Sequence, residues 1–188
     1  DDLDRLADIA AEENVWLHID GAFGAAAILS RDMSWRLKGL ERADSLAFDF
    51  HKWLHVNYDA GCVLVRSGDK HLMSFGGRPD YLAGTRSGLA AGTPWPVDFG
   101  PELSRGFRAL KVWALLLEHG TEKLGAAISR NCEQARYLGS KISESQTFRL
   151  LAPVTLNIVC FHYVSAAEKH LDEINEKIWN LPAEIFIP

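Results

Sequence analysis

The chain has 188 residues, of which 47% are hydrophobic and 24% charged, with a formal net charge of −5. That composition fits a globular fold with one sizeable core or two small ones, and the acidic balance argues against nucleic-acid or anionic-membrane partners. No apolar run reaches transmembrane length, and the scattered Cys62, Cys132 and Cys160 lack paired metal spacing and suit a reducing, cytoplasmic setting.

The opening run D-D-L-D-R-L-A-D-I-A-A-E-E predicts an amphipathic helix over residues 2–13, with acids in its first turn. The chain lacks a starting Met and stops within a strand-like run, A-E-I-F-I-P, which reads as an internal fragment of a longer protein. Residues 15–20, V-W-L-H-I-D, predict a strand whose two faces could both be buried against helices. Residues 46–50 and 61–66 predict two more. Short strands with helical connections imply an α/β sheet, mostly parallel, in which ligands bind at the C-terminal strand ends.

Residues 67–101 are rich in Gly and Pro and predict a long functional loop. A helix over 102–118 follows, with Leu103, Phe107, Leu110, Trp113 and Leu117 on its core face. His119-Gly120 ends it, and a second helix runs over 122–143. Strand-like runs at 148–151 and 156–163, a helix over 166–179 and a terminal strand complete an α+β pattern. The domain boundary is expected inside the first long helix, dividing the chain into 1–110 and 111–188.

Two residues carry the chemistry. Asp20 ends the first strand, and Lys52 lies just past the second, in A-D-S-L-A-F-D-F-H-K-W. Pyridoxal phosphate chemistry needs this pair: a lysine to form a Schiff base with the cofactor aldehyde, and an acid to keep the pyridine nitrogen protonated so that the ring accepts electrons. Two other readings compete. His18 and Asp20, like Asp49 and His51, are two apart and share a strand face, so the four could hold a divalent metal in a metallohydrolase. The chain could also be an inactive piece whose remaining role is subunit association.

The runs W-L-H-I-D-G-A-F-G, F-H-K-W-L-H-V-N-Y-D and L-S-R-G-F-R-A-L-K-V-W resemble the group II pyridoxal-phosphate-dependent amino-acid decarboxylases, with the aromatic amino-acid decarboxylases as the most similar subgroup. The similarity covers nearly the whole chain in the family's order. It implies a fold type I transferase-like architecture. Residues 1–110 would form part of the cofactor-binding large domain, and 111–188 part of an α+β small domain.

By the same resemblance Lys52 is the Schiff-base lysine and Asp20 the partner of the pyridine nitrogen. Ala22 is the small residue that lets the ring approach the backbone, and His51 helps hold the phosphate or the lysine. Tyr81, in R-P-D-Y-L, matches the catalytic-loop tyrosine that returns a proton to the substrate carbon after CO2 leaves; a phenol with a pKa near 10 can do so uncharged. That loop serves the partner subunit's site in the family, which implies a homodimer with the active site at the interface. Tyr81 rather than Phe favours simple decarboxylation of an aromatic L-amino acid over aldehyde formation. Asn57 and Tyr58 would line the cleft, Arg105 would start the long helix, and Trp53 and Trp113 would be core. Phe23 would accommodate an aromatic substrate. The chain departs from the family in Asp49-Phe50, where many relatives have Asn-Pro, and in Gly21, where Ala is common. The resemblance places the ring-stacking and phosphate-binding residues upstream, so the chain alone is expected to be inactive.

Overall fold

The computed structural model describes residues 2–77, 87–88, 92, 94–164 and 170–180. The chain forms two compact units, 1–125 and 126–188.

Helix α1, Leu3–Glu12, begins where Asp2 caps it by accepting from the Arg5 backbone N–H at 3.1 Å. Its face of Ala7 and Ala10 is buried. Strand β1, His18–Asp20, is parallel to β2, Ser45–Asp49, with Asp20 beside Ala47. The connection between them is made of three 3-10 turns, Gly24–Leu29, Ser34–Leu37 and Leu40–Arg42. Arg42 and Lys38 hold Asp4 of α1, Arg42 at 2.9 Å and Lys38 at 2.7 Å. Strand β3, Gly61–Val65, pairs antiparallel with β2, placing Asp49 opposite Gly61, so the sheet is mixed, in the order β1-β2-β3.

One face of β1 is uncovered among the described residues: His18 and Asp20, which share it, are exposed, while Ile19 on the other face is half-buried. Alternation of apolar side chains predicts a face that can be buried, not the element that buries it.

Part of the expected long loop is helical. Helix α2, Gly68–Phe75, starts at Ser67, whose hydroxyl accepts from the Lys70 N–H at 3.3 Å. Ser67 and Asp69 are start signals that the surrounding Gly and Pro residues outweighed. A 3-10 turn at Pro96–Phe99 packs near it, His71 and Phe99 lying 5.1 Å apart by ring centroid.

The long helix α3, Arg108–Glu144, starts six residues later than the sequence predicts. Gly106 interrupts the run before it, and Arg108 N–H bonds back to Gly106 O at 2.8 Å. The helical run breaks at Gly120, with φ 69° and ψ 163°, as the His119-Gly120 signal anticipates. The expected core face of this helix is open: Leu103, Phe107, Leu110, Trp113 and Leu117 are all exposed, Trp113 at 60%. Trp113 is therefore not core among the described residues. An amphipathic period shows that a stripe seeks cover without supplying it.

In the second unit Ile128, Cys132, Ala135 and Ile142 are buried. Strands β4, Phe148–Leu150, and β5, Phe161–Tyr163, pair antiparallel. Helix α4, Leu171–Trp179, joins β5 through Asn175, which accepts from Tyr163 N–H at 2.8 Å. The terminal strand lies outside the described residues.

Candidate active site

The parallel pairing of β1 and β2 puts their C-terminal ends side by side. Gly21 N–H donates to Ala47 O at 2.8 Å, and Asp49 N–H donates to Ala22 O at 3.1 Å. These two bonds continue the ladder past the end of β1 and bring the segment after Asp20 against the end of β2, just before Lys52.

Lys52 sits in the first turn beyond β2. Its N–H lies 3.4 Å from Asp49 O, and its own carbonyl accepts from His55 N–H at 3.1 Å. The turn is anchored by the buried side chains of Trp53, Leu54, Val56 and Ala60, while Lys52 stays exposed. Phe50 N–H to Ala60 O at 2.9 Å and Val56 N–H to Phe50 O at 3.1 Å close the base of the loop. Lys52 Nζ meets Asp49 Oδ2 at 2.8 Å. That hydrogen bond raises the lysine's pKa above its ordinary value; partial burial opposes it, and the charges of Asp49, Asp20 and Tyr58 reinforce it.

Asp20 Oδ1 accepts from Ala22 N–H at 3.0 Å, and Oδ2 makes no hydrogen bond among the described residues. Asp20 is close enough to act on the Lys52 ammonium electrostatically. The structure thus gathers Asp20, Ala22, Lys52 and His51 at one end of the sheet. His51 Nδ1 accepts from Ala60 N–H at 3.0 Å, which leaves the ring's proton on Nε2, 4.0 Å from Asp49 Oδ2. The Tyr58 ring meets His51 edge-on at 4.6 Å and is 86% exposed. Asn57 is exposed in the same segment. Tyr81 lies outside the described residues.

Behind the lysine, Trp53 stacks on Phe23 with centroids 4.6 Å apart and planes 7° from parallel. Phe23 is thus taken up by the stack. Gly21 is a close-approach position: a Cβ there would lie 2.7 Å from Ala25 Cβ and 2.9 Å from Leu46 Cδ1. The departure at 21 is thus matched to its surroundings. Gly21→Ala is expected to lower stability by about 1–3 kcal/mol through overpacking, read as a lower denaturant midpoint. An unchanged midpoint would show that Ala25 and Leu46 yield freely.

The four residues of the metal reading do not converge. His18 Nδ1 lies 2.7 Å from Ser45 Oγ, and among the described residues no three His, Cys, Asp or Glu side chains are grouped to hold a metal ion. Arg105 lies before α3 rather than in it, and pairs with Glu102 at 3.0 Å. The same Glu102 oxygen lies 3.7 Å from Arg108, the first residue of α3, so Glu102 links the approach to the helix with its first turn.

Sequence reasoning missed two links. Asp49 entered it only as a departure and as a metal ligand, though an acid three residues before a lysine is a pairing signal. Arg108 Nε reaches both oxygens of Asp59, at 3.1 and 3.0 Å, tying the start of α3 to the loop after Lys52. That contact holds the Asp59 carboxyl below the usual carboxylate range.

The pyridoxal-dependent decarboxylase conserved domain matches residues 1–164. The chain belongs to that family. An aromatic-L-amino-acid decarboxylase of Bacillus atrophaeus is 38% identical over 188 residues, a span of 98% of this chain and 38% of the relative. The family's fold is evident in solved structures. Oryza sativa TDC with PLP and tryptamine superposes with a TM-score of 0.83 at 28% identity, over 95% of this chain and 37% of that one. Catharanthus roseus tryptophan decarboxylase in complex with L-tryptophan gives 0.79 at 26%, over 95% and 35%. The chain therefore spans well under half the length of these family members, and its fold is part of a fold type I large domain with an α+β segment after it.

The family's cofactor is pyridoxal phosphate, and the donor set here fits it. An exposed primary amine stands just past one strand end, and at the next stands a carboxylate with an oxygen that makes no hydrogen bond among the described residues. Ala22, between Asp20 and Phe23, adds little bulk at that end.

Proposed function

We propose that the protein acts in the decarboxylation of an L-amino acid with pyridoxal phosphate. The observation that carries this reading is the placement of Lys52 and Asp20 at the adjacent C-terminal ends of two parallel strands. When bound, the cofactor supplies an electron sink for the pair of electrons left on the α-carbon as CO2 departs. Lys52 would hold the cofactor through Nζ and yield that place to the substrate's amino group. Asp20 holds a proton at the pyridine nitrogen through its carboxylate. Ala22 leaves room for the ring plane, and His51 braces the lysine loop through Ala60. Tyr81 delivers a proton to the α-carbon, acting on the site of a partner subunit in a homodimer.

An aromatic substrate is favoured by the names of the relatives. The activity belongs to a polypeptide of the relatives' length, acting in the cytoplasm. The 188-residue chain alone is expected to turn over no substrate.

The test is to incubate the chain with pyridoxal phosphate, reduce with borohydride and map the adduct by peptide mass spectrometry. Selective labelling of Lys52 over the other lysines is expected. Scattered labelling in this chain and in a polypeptide of the relatives' full length would sink the reading.

A further inference from the structure

Asp49 has no task in the reaction above, yet it is bonded to the residue on which that reaction depends. We propose that Asp49 is a positioning residue for Lys52: its carboxylate docks the ammonium form at the end of β2, in competition with the aldehyde carbon that the free amine attacks. This inference rests on the reading of Lys52 as the cofactor lysine.

The geometry assigns the acid as the fixed partner and the lysine as the mobile one. Asp49 is the last residue of β2, its N–H held by Ala22 O at 3.1 Å on one side and its position paired with Gly61 on the other. A Cβ at Gly61 would lie 3.2 Å from Asp49 Oδ1, so the opposite strand leaves little spare room around the carboxylate. The Asp49 side chain is 20% exposed, against 44% for Lys52, and Nζ meets Oδ2 at 2.8 Å. A short, clamped acid therefore receives a long, freer side chain.

Among the described residues, other groups also face Lys52. Asp20 at the end of β1 and Tyr58 in the following loop act on it by charge, and both favour the ammonium, as Asp49 does. His51 presents Nε2 to the same Asp49 oxygen at 4.0 Å, its Nδ1 being occupied by Ala60. The amine's pKa is raised accordingly, with the Asp49 hydrogen bond as the largest cause. This is the reverse of the usual activation of a lysine nucleophile, which lowers the pKa. An ammonium has no lone pair to offer a carbonyl carbon, so Lys52 must first give a proton to solvent or to a nearby base. Asp49 gives the side chain a fixed resting place before it joins the cofactor and after substrate displaces it. An uncharged Asn at this position cannot hold the ammonium in the same way.

The test is competitive acetylation of the folded chain with acetic anhydride across pH, with Lys52 quantified by peptide mass spectrometry. Asp49→Asn preserves shape and is expected to move the Lys52 midpoint to lower pH and to speed its acetylation at neutral pH. Asp49→Glu, which keeps the charge, is expected to restore part of the original profile. Added salt should narrow the difference, because a half-exposed pair is screened. Superimposable profiles for Asp49→Asn and the unaltered chain, both shown folded by circular dichroism, would overturn the proposal. So would an unaltered chain whose Lys52 midpoint stays put on unfolding in guanidinium, a comparison that needs no variant. Acetylation reads the hold of Asp49 whatever the cofactor does, whereas the borohydride adduct reads the cofactor role alone. Failure of either is thus distinguishable from failure of the other.

Discussion

Lys52→Ala is expected to eliminate the borohydride-fixed adduct, while Asp20→Ala keeps the adduct and loses the chemistry. In the proposed site the two residues do different work at the same sheet end. Lys52 supplies the only bond in the proposed site that reduction can trap, so its loss removes the signal whatever else binds. In the proposed site Asp20 would hold a proton at the pyridine nitrogen through Oδ2, which makes no hydrogen bond among the described residues, while Oδ1 accepts from Ala22 N–H at 3.0 Å. Without that proton the ring accepts electrons poorly. Removing one preorganised electrostatic partner typically costs roughly 10²–10³-fold in kcat, and a fall of at least that size is expected for Asp20→Ala. It is to be measured as turnover in a polypeptide of the relatives' full length. Near-normal turnover in Asp20→Ala would remove Asp20 from the site. An undiminished adduct in Lys52→Ala would place the cofactor on another lysine.

The placement of these two residues was legible in the sequence because it rests on position along strands. Asp20 and Lys52 each fall at a strand end, and strand ends follow from where apolar alternation stops. The parallel pairing then brings the two ends together, a step the sequence implies through the α/β pattern and the structure shows residue by residue. Antiparallel β3 and the 3-10 connection were harder to read, since a short apolar run carries no mark of its direction and a turn of Ala residues resembles a helix. The start of α3 was misplaced because Leu103 and Phe107 fit the helical period, while Gly106 between them decides the backbone. Burial was the least legible quantity. Trp53 and Trp113 both looked like core, and one is 4% exposed and the other 60%. The difference lies in what packs on each: Trp53 meets Phe23 within the site, whereas Trp113 lies on a helix face open among the described residues.

That contrast sets up the second large effect. Trp53→Ala is expected to destabilise the first unit by about 3–5 kcal/mol, the usual cost of emptying a buried aromatic site. Of this, roughly 0.5–1.5 kcal/mol belongs to the stack on Phe23 beyond simple burial. Such a loss is a large share of a domain's ordinary stability of about 5–15 kcal/mol, and a denaturant midpoint should show it directly. Trp53→Phe should lose less, since a ring remains to face Phe23. The consequence for the site follows from sequence position. Phe23 lies three residues after Asp20, and Trp53 lies immediately after Lys52, so the stack ties the acid's segment to the lysine's segment at a centroid distance of 4.6 Å. If that tie sets the geometry, Trp53→Ala should reduce the yield of Lys52 adduct even under conditions where the chain remains folded. If the midpoint falls while the adduct yield holds, the hydrogen bonds from Gly21 to Ala47 and from Asp49 to Ala22 suffice to align the two strand ends. An unchanged midpoint would mean that Trp53 contributes no net packing energy, against its burial.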